Sequence, residues 1–264
     1  MSRNDEIKYY RSFTEDFVEN SHQDYVLPED YVWIRTDKKS RAKAGILYFA
    51  GHLFGLVYAK LVLHVKIVNQ SERNLRDISG GMMVYANHTQ MIGDVFTPIL
   101  ACRPKRGYTI VSPANLGLPV IGKILPDVGA LPIPGDFRRM KQFTKAVSER
   151  LSQGGCVFVY PEAHVWPFYT GIRPYPDTAF SYAAENHVPA FCMTTTYQKR
   201  RPGKKPRQTV YLDGPFYADE TLSRHEQRRQ LHDEVYACMC SRSRESTYEY
   251  VIYRPAEDKT SSDS

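Results

Sequence analysis

The chain has 264 residues, of which 42% are hydrophobic and 24% charged: enough apolar content for one large folded domain, and too much for a disordered chain. Its 35 Lys and Arg against 29 Asp and Glu leave a formal charge of +6, a mild excess that suits an anionic partner such as a membrane surface or a phosphorylated substrate. Five cysteines, at 102, 156, 192, 238 and 240, form no C-x-x-C pair and no zinc-ligand spacing, which argues against a zinc module or a disulfide scaffold and for a reducing compartment.

The first 42 residues are polar and aromatic, and the opening MSRNDEIKYY lacks the apolar stretch of a signal peptide. A basic run, KKSRAK at 38–43, leads into AGILYFAGHLFGLVYA at 44–59, which carries no Lys, Arg, Asp or Glu. Sixteen helical residues reach about 24 Å, short of the ~30 Å hydrocarbon layer of a bilayer. Gly45, Gly51, Gly55 and His52 weaken a spanning reading further, and Lys60 closes the run. The expectation is a helix lying in the membrane interface with the preceding basic residues on anionic headgroups. A buried helix packed on the main domain is the plainer alternative.

From residue 65, β-rich runs alternate with helical patterns. The strands expected are VKIVN, GMMVYAN, GYTIVS, GALPIP, CVFVYPE, PAFCMTTTY and TVYLDG, with helices between them over 95–102, 138–153 and 177–186. This alternation predicts an α/β layered domain with a mixed, largely parallel sheet flanked by helices. Residues 198–207, QKRRPGKKPR, separate two strand candidates and read as a hairpin loop or an anion-binding patch. They lack the interleaved aromatics that nucleic-acid binding would want. A charged helix over 221–241 and a disordered tail complete the chain. The expected division is an N-terminal extension with a membrane-anchoring helix (1–64), the main domain (65–217) and a C-terminal helix and tail (218–264).

Two quoted strands end in chemically useful residues, VYANH and VFVYPEAH, and in parallel sheets ligands gather at the carboxyl ends of strands. Within MMVYANHTQMIGDVFTPIL, residues 82–100, His88 follows a strand directly and Asp94 opens the next helix. Residues six apart on one helix point about 120° away from each other. The two meet only if His88 sits in the turn and the chain folds back, a bend that Gly93 permits. Asp94 would then accept a hydrogen bond from His88 Nδ1 and leave Nε2 free as a general base. The plainer alternatives are an Asp94 that caps the helix, with Pro98 in the first turn, and an inert His88. A near P-loop, GLPVIGKI at 117–124, fails because Ile124 stands where the magnesium-binding hydroxyl belongs, and no G-x-S-x-G elbow offers a serine nucleophile.

Four ordered blocks resemble the glycerolipid acyltransferase family, whose type member is lysophosphatidate acyltransferase. They are NHTQMIGD, NLGLPVIGKILPDVGALPIP at 115–134, YPEA at 160–163 and HVPAFCMTTTY, and together they cover about residues 65–215. The resemblance implies that His88 deprotonates an acceptor hydroxyl, which attacks the thioester of acyl-CoA or an acyl-carrier protein, while Asp94 orients the imidazole. It implies no cofactor and no metal; the thioester is a substrate. It places the binding residues at Asn87, Tyr160, Pro161, Glu162, Ala163 and His164. The acceptor expected is 1-acylglycerol-3-phosphate, and the partners are that lysolipid, the thioester donor and an anionic membrane surface. The location expected is the cytoplasmic face of a membrane, with the protein peripheral or monotopic.

Three departures from the family pattern accompany the resemblance. Five residues separate His88 from Asp94, where the family has four. Gly135 stands where the second block usually ends in arginine, and Ala163-His164-Val165 replace Gly-Thr-Arg. Arg138, Arg139 and Arg173 are the expected substitutes as phosphate contacts. The alternatives are a lysolipid acceptor without a phosphomonoester, and a lipid-binding protein without catalysis.

Overall fold

The computed structural model describes residues 6–18, 24–69, 77–91, 93–200 and 205–256. All seven expected strands form and join one sheet in the order β2-β8-β7-β3-β6-β4-β5. They are β2 (Val65–Asn69), β3 (Met82–Ala86), β4 (Gly107–Val111), β5 (Ala130–Pro132), β6 (Cys156–Val159), β7 (Ala190–Gln198) and β8 (Arg207–Phe216). Strands β7, β3, β6, β4 and β5 are mutually parallel, β8 runs antiparallel to β7, and edge strand β2 lies parallel to β8. The sheet is therefore mixed and largely parallel. Between β7 and β8, residues 201–204 of the basic segment lie outside the described residues, as do 257–264 of the expected tail.

The core follows from the two-residue period of strands that are buried on both faces. On one face Met83, Tyr85, Val157 and Val159 pack with Phe143, Val147 and Leu151 of α4 (Phe137–Ser152) and with Ala183 and Ala184 of α5 (Ser181–Glu185). Leu231, Val235 and Met239 of α6 (Arg224–Ser243) complete that face. On the other face Met82, Val84, Ala86, Phe158 and Phe191 pack with Ala101 of α2 (Gly93–Ala101) and with Cys102. Between β4 and β5 lies a short helix, α3 (Ile121–Ile124).

Both ends of the described chain join the structure of the main domain. Helix α6 begins behind a capping box formed by Ser223 and Glu226, and it buries three side chains in the main core. Helix α6 thus shares one core with the sheet that precedes it. Strand β1 (Glu6–Tyr10) pairs in parallel with β9 (Val251–Pro255), so the two ends of the described chain form a small second sheet. Neither strand shows the alternation that would have announced it: β1 has no buried residue, and in β9 Val251 alone is buried.

The topology places a switch point at β3 and β6. From β3 the chain crosses through α2 to β4, on the far side of β6, and from β6 it crosses the other way to β7. The carboxyl ends of β3 and β6 lie where the crossovers diverge, which is where open α/β sheets hold their ligands.

Candidate active site

The residue after β3 fixes the loop that follows. Asn87 donates from Nδ2 to Thr195 O (3.1 Å) and accepts at Oδ1 from Thr195 N (2.8 Å), so its amide imitates one more strand residue against β7. Beyond it the loop is tied from below. Thr89 Oγ1 lies 2.7 Å from the Tyr197 hydroxyl, Gln90 Nε2 donates to that same hydroxyl, and Gln208 Nε2 donates to Gln90 Oε1 at 2.8 Å. These groups are buried, and each bond spares a desolvation penalty of about 1–3 kcal/mol.

The chain then folds back on itself. His88 Nδ1 lies 2.8 Å from Asp94 Oδ2, and Gln90 N–H donates to the same oxygen at 2.9 Å. Gly93 makes the return possible, because a Cβ there would stand 3.0 Å from the Gln90 side chain. The two side chains thus meet across five intervening residues, of which Ile92 lies outside the described residues. Asp94 lies in the first turn of α2, yet its carboxylate serves the loop rather than capping the helix. Burial pushes the Asp94 carboxyl above its ordinary value, against the pull of the hydrogen bonds from His88 and from the Gln90 and Thr89 amides. His88 Nε2 has no hydrogen-bond partner among the described residues, and about a fifth of the side chain (21%) is exposed.

The loop after β6 is the second wall. The Tyr160 ring stacks on His88 at 4.4 Å between centroids and 24° between planes, and its hydroxyl donates to Asp94 O at 2.8 Å. Glu162 is buried behind the histidine. Its Oε2 accepts from His88 N (3.0 Å) and Arg173 Nη2 (3.0 Å), and its Oε1 from Arg173 N (2.9 Å). Arg173 also donates to His164 O and Phe13 O, and its guanidinium lies 5.0 Å from the Trp166 ring. The backbones of the two loops join directly, Trp166 N to His88 O and Phe168 N to Thr89 O, both at 3.0 Å.

Several expected binding residues prove to have other duties. Arg173 is 1% exposed and its two Nη groups are spent on Glu162 and on the His164 and Phe13 carbonyls, leaving only a buried Nε without an acceptor among the described residues, so it is withdrawn as a phosphate contact. Arg139 donates to the carbonyls of Leu27 and Pro28, which turns it away from that role. Asn87 and Glu162 position the loops and present no free polar atom to a substrate. His164 lies 3.6 Å from Asp16 on the N-terminal segment. Pro161 is half-buried, and Ala163 is exposed at a left-handed φ of 64°, a conformation that suits glycine. Arg138 remains: it is exposed at the start of α4, beyond the carboxyl end of β5, and its guanidinium has no partner among the described residues.

Sequence reasoning missed Gln90, Tyr197, Gln208 and the N-terminal residues that roof the second loop. Trp166 Nε1 donates to Glu15 O, and Tyr10, Phe13, Phe17 and Tyr253 pack their rings around the Trp166 indole. Only the aromatic density of the first residues hinted at this roof.

The acyltransferase family matches residues 64–195, half of the chain, from the residue before β2 into β7, and the match contains both loops. The chain belongs to the acyltransferase family. Among solved structures, this acyltransferase is similar to the 1-acyl-sn-glycerophosphate (LPA) acyltransferase PlsC from Thermotoga maritima. That likeness has a TM-score of 0.50 at 15% identity, over 78% of this chain and 82% of that one. At that identity the likeness establishes a shared fold. No curated protein matches by sequence.

The acyltransferase carries its apolar helix against the same core. Helix α1 (Lys38–Tyr58) starts at Asp37, whose side chain accepts from Ser40 N, and a π-helical turn (Ala59–Leu63) extends it past Lys60. The expected stop at Lys60 does not occur. The whole run, Lys38–Leu63, has 26 residues, which at ~1.5 Å each is about 39 Å, so length alone no longer argues against crossing a membrane. One side of the helix is nonetheless committed to the domain. Tyr48 Oη accepts from Gly107 N at 2.9 Å, Gly51 faces Val128, and Gly55 leaves room for Phe96 of α2. The opposite side carries Ile46, Phe49, Leu53, Val57 and Leu61 as an exposed apolar stripe.

Proposed function

We propose that this acyltransferase is a membrane-surface O-acyltransferase that moves a fatty acyl chain from an acyl thioester to the hydroxyl of a lysolipid. The observation that carries this reading is the His88–Asp94 hydrogen bond of 2.8 Å, formed across five intervening residues with Nε2 left without a partner among the described residues. The acceptor hydroxyl gives its proton to Nε2 as its oxygen attacks the thioester carbonyl carbon. The C–S bond breaks, and the proton passes from the imidazolium to the leaving thiolate. Asp94 holds Nδ1–H toward itself and stabilises the charged ring, while Glu162 holds the His88 backbone. This direct transfer forms no acyl-enzyme and calls on no cofactor. The donor is acyl-CoA or an acyl-carrier protein.

The acceptor proposed first is 1-acylglycerol-3-phosphate, with Arg138 as its remaining cationic contact at the start of α4. A second reading, a lysolipid without a phosphomonoester, draws support from the burial of Arg173 and the engagement of Arg139. The exposed stripe of α1 supports a peripheral or monotopic seat, in which lipid acceptor and product stay within the bilayer; we place the domain on the cytoplasmic face. Turnover of acyl-CoA and, separately, of acyl-carrier protein with lysophosphatidate, other lysophospholipids and monoacylglycerol in parallel tests both readings. Preference for lysophosphatidate that is lost in Arg138→Ala supports the first. Equal or better use of uncharged acceptors supports the second, and no acyl transfer to any of them overturns the enzyme reading.

A further inference from the structure

At the opposite edge of the sheet from His88, a cavity of about 760 Å³ opens among residues 32–44, Arg106, Tyr108, Asp127 and the end of α4. It lies by the amino ends of β4 and β5, and five-residue β4 alone separates it from the reacting edge by about 17 Å at ~3.3 Å per residue. Its wall is rich in cations that nothing in the reaction uses. Of its two carboxylates, Asp127 pairs with Arg35 (2.9 Å) and Lys43 (2.8 Å), while Glu149 accepts from the neutral amide of Gln153 and keeps its charge, which one of the cations offsets. Against them stand Lys38, Arg41, Arg106 and Arg150.

Lys38 and Arg41 are exposed at the rim, and neither side chain has a partner among the described residues. Arg106 and Arg150 sit deeper, with their guanidinium carbons 5.7 and 4.9 Å from the Tyr108 ring; Arg106 Nη2 donates to Asp127 O (3.2 Å) and Arg150 Nη1 to Gln153 Oε1 (3.0 Å), yet each keeps a buried Nε that meets no acceptor among the described residues. A buried N–H of a charged guanidinium without an acceptor is expensive, and the deficit is relieved by an anion that brings several oxygens. Planar guanidinium forks match phosphate and carboxylate alike, and a phosphate brings more charge and more acceptor oxygens to a cluster of several cations.

We infer that this cavity is a phosphate-binding site, separate from the reaction centre and built from Lys38, Arg41, Arg106 and Arg150. It lies at the basic start of α1, beside the exposed apolar stripe. Where α1 rests in a bilayer, as proposed above, the mouth meets headgroups, so an anionic lipid headgroup is one source of the phosphate. A soluble phosphate compound, the CoA donor included, is the other.

The test uses the full chain in detergent. Inorganic pyrophosphate is titrated calorimetrically into the wild type, Lys38→Gln/Arg41→Gln and, separately, Arg150→Gln, with thermal melts to confirm folding. Binding that weakens at least about tenfold in either folded variant supports the site. No binding to the wild type, or equal binding in every folded variant, overturns it. Competition then separates the sources. Vesicles of phosphatidylcholine with phosphatidylglycerol that displace pyrophosphate, where pure phosphatidylcholine does not, assign the site to lipid; displacement by CoA alone assigns it to a soluble compound. Failure of any vesicle to bind the chain removes the membrane seat of α1 and leaves the pyrophosphate result standing.

Discussion

The loop from Asn87 to Asp94 and the helix α1 rest on the same sheet and are held by opposite means. In the loop the buried polar groups meet partners, so the imidazole is fixed by bonds from β7, α2 and the Glu162 loop. In α1, Tyr48, Gly51 and Gly55 face the domain, and a stripe of large apolar side chains faces outward, with Phe49 71% and Leu53 56% exposed. A fixed proton acceptor requires the first kind of surroundings, because a shift of about 1 Å costs orders of magnitude in rate. An interfacial helix requires the second, because its favourable term appears only when lipid covers the stripe.

The sharpest way to break the loop side of this contrast is Arg173→Ala. It strands the Glu162 carboxylate, buried and unpaired, and the expected loss is about 3–5 kcal/mol of stability. Chemical denaturation measures it, and a loss under about 1 kcal/mol would mean that the clamp is not what holds the two loops together.

Asp94→Asn should separate geometry from charge. The amide upsets the tautomer of His88, and turnover should fall about 10²–10⁴-fold. Stability should not fall with it. Burial raises the Asp94 carboxyl above its ordinary 3.8, so the folded state holds that proton more tightly than the unfolded chain does. That contribution is fully present below the ordinary value and is lost as pH rises through the raised one; at neutral pH the ionised carboxylate is a burden that the amide removes. Equal or higher stability at pH 7, with a flatter acid-side stability profile than wild type, is the expected result. A large loss of stability would assign Asp94 a structural role instead.

On the helix side, Phe49→Asp with Leu53→Asp should leave the thermal melt unchanged, since both side chains point away from the core. Sedimentation with anionic vesicles should weaken at least about tenfold, given ~1.5–3 kcal/mol for each large side chain buried. Unchanged sedimentation would return the stripe to the status of bare surface. The smallest expected effect is at Ala163, where glycine relieves the left-handed φ of 64°. Strain of ~1–2 kcal/mol is offset by about 0.5–1 kcal/mol of added chain entropy, for a net gain near ~0.5 kcal/mol in denaturation.

The legible parts of this molecule were those written in local pattern. Seven strands could be read because buried parallel strands are short apolar runs, and His88 could be placed because VYANH ends one of them. The return of Asp94 to His88 could be framed as a condition, since Gly93 allows it, but Gln90, which completes the turn, looks like any loop residue. Arg173 was misassigned for a related reason. An arginine on a loop carries no local sign of the Glu162 that neutralises it eleven residues earlier. The end of α1 was misjudged because Lys60 was taken as a stop, whereas an exposed lysine at the edge of an apolar helix can hold its charge in water while the helix continues. The pairing of β1 with β9 is farther still from local reach, joining the two ends of the described chain.

The role of His88 as the proton acceptor is open to direct test. Acyl transfer from acyl-CoA to the best lysolipid of the panel, compared between wild type and His88→Ala, measures this, with thermal melts showing both to be folded. The expected result is a fall of about 10²–10⁴-fold in the variant at an unchanged melt. A folded His88→Ala enzyme that turns over within about a few-fold of wild type would contradict it, because the His88 imidazole would then not be the general base.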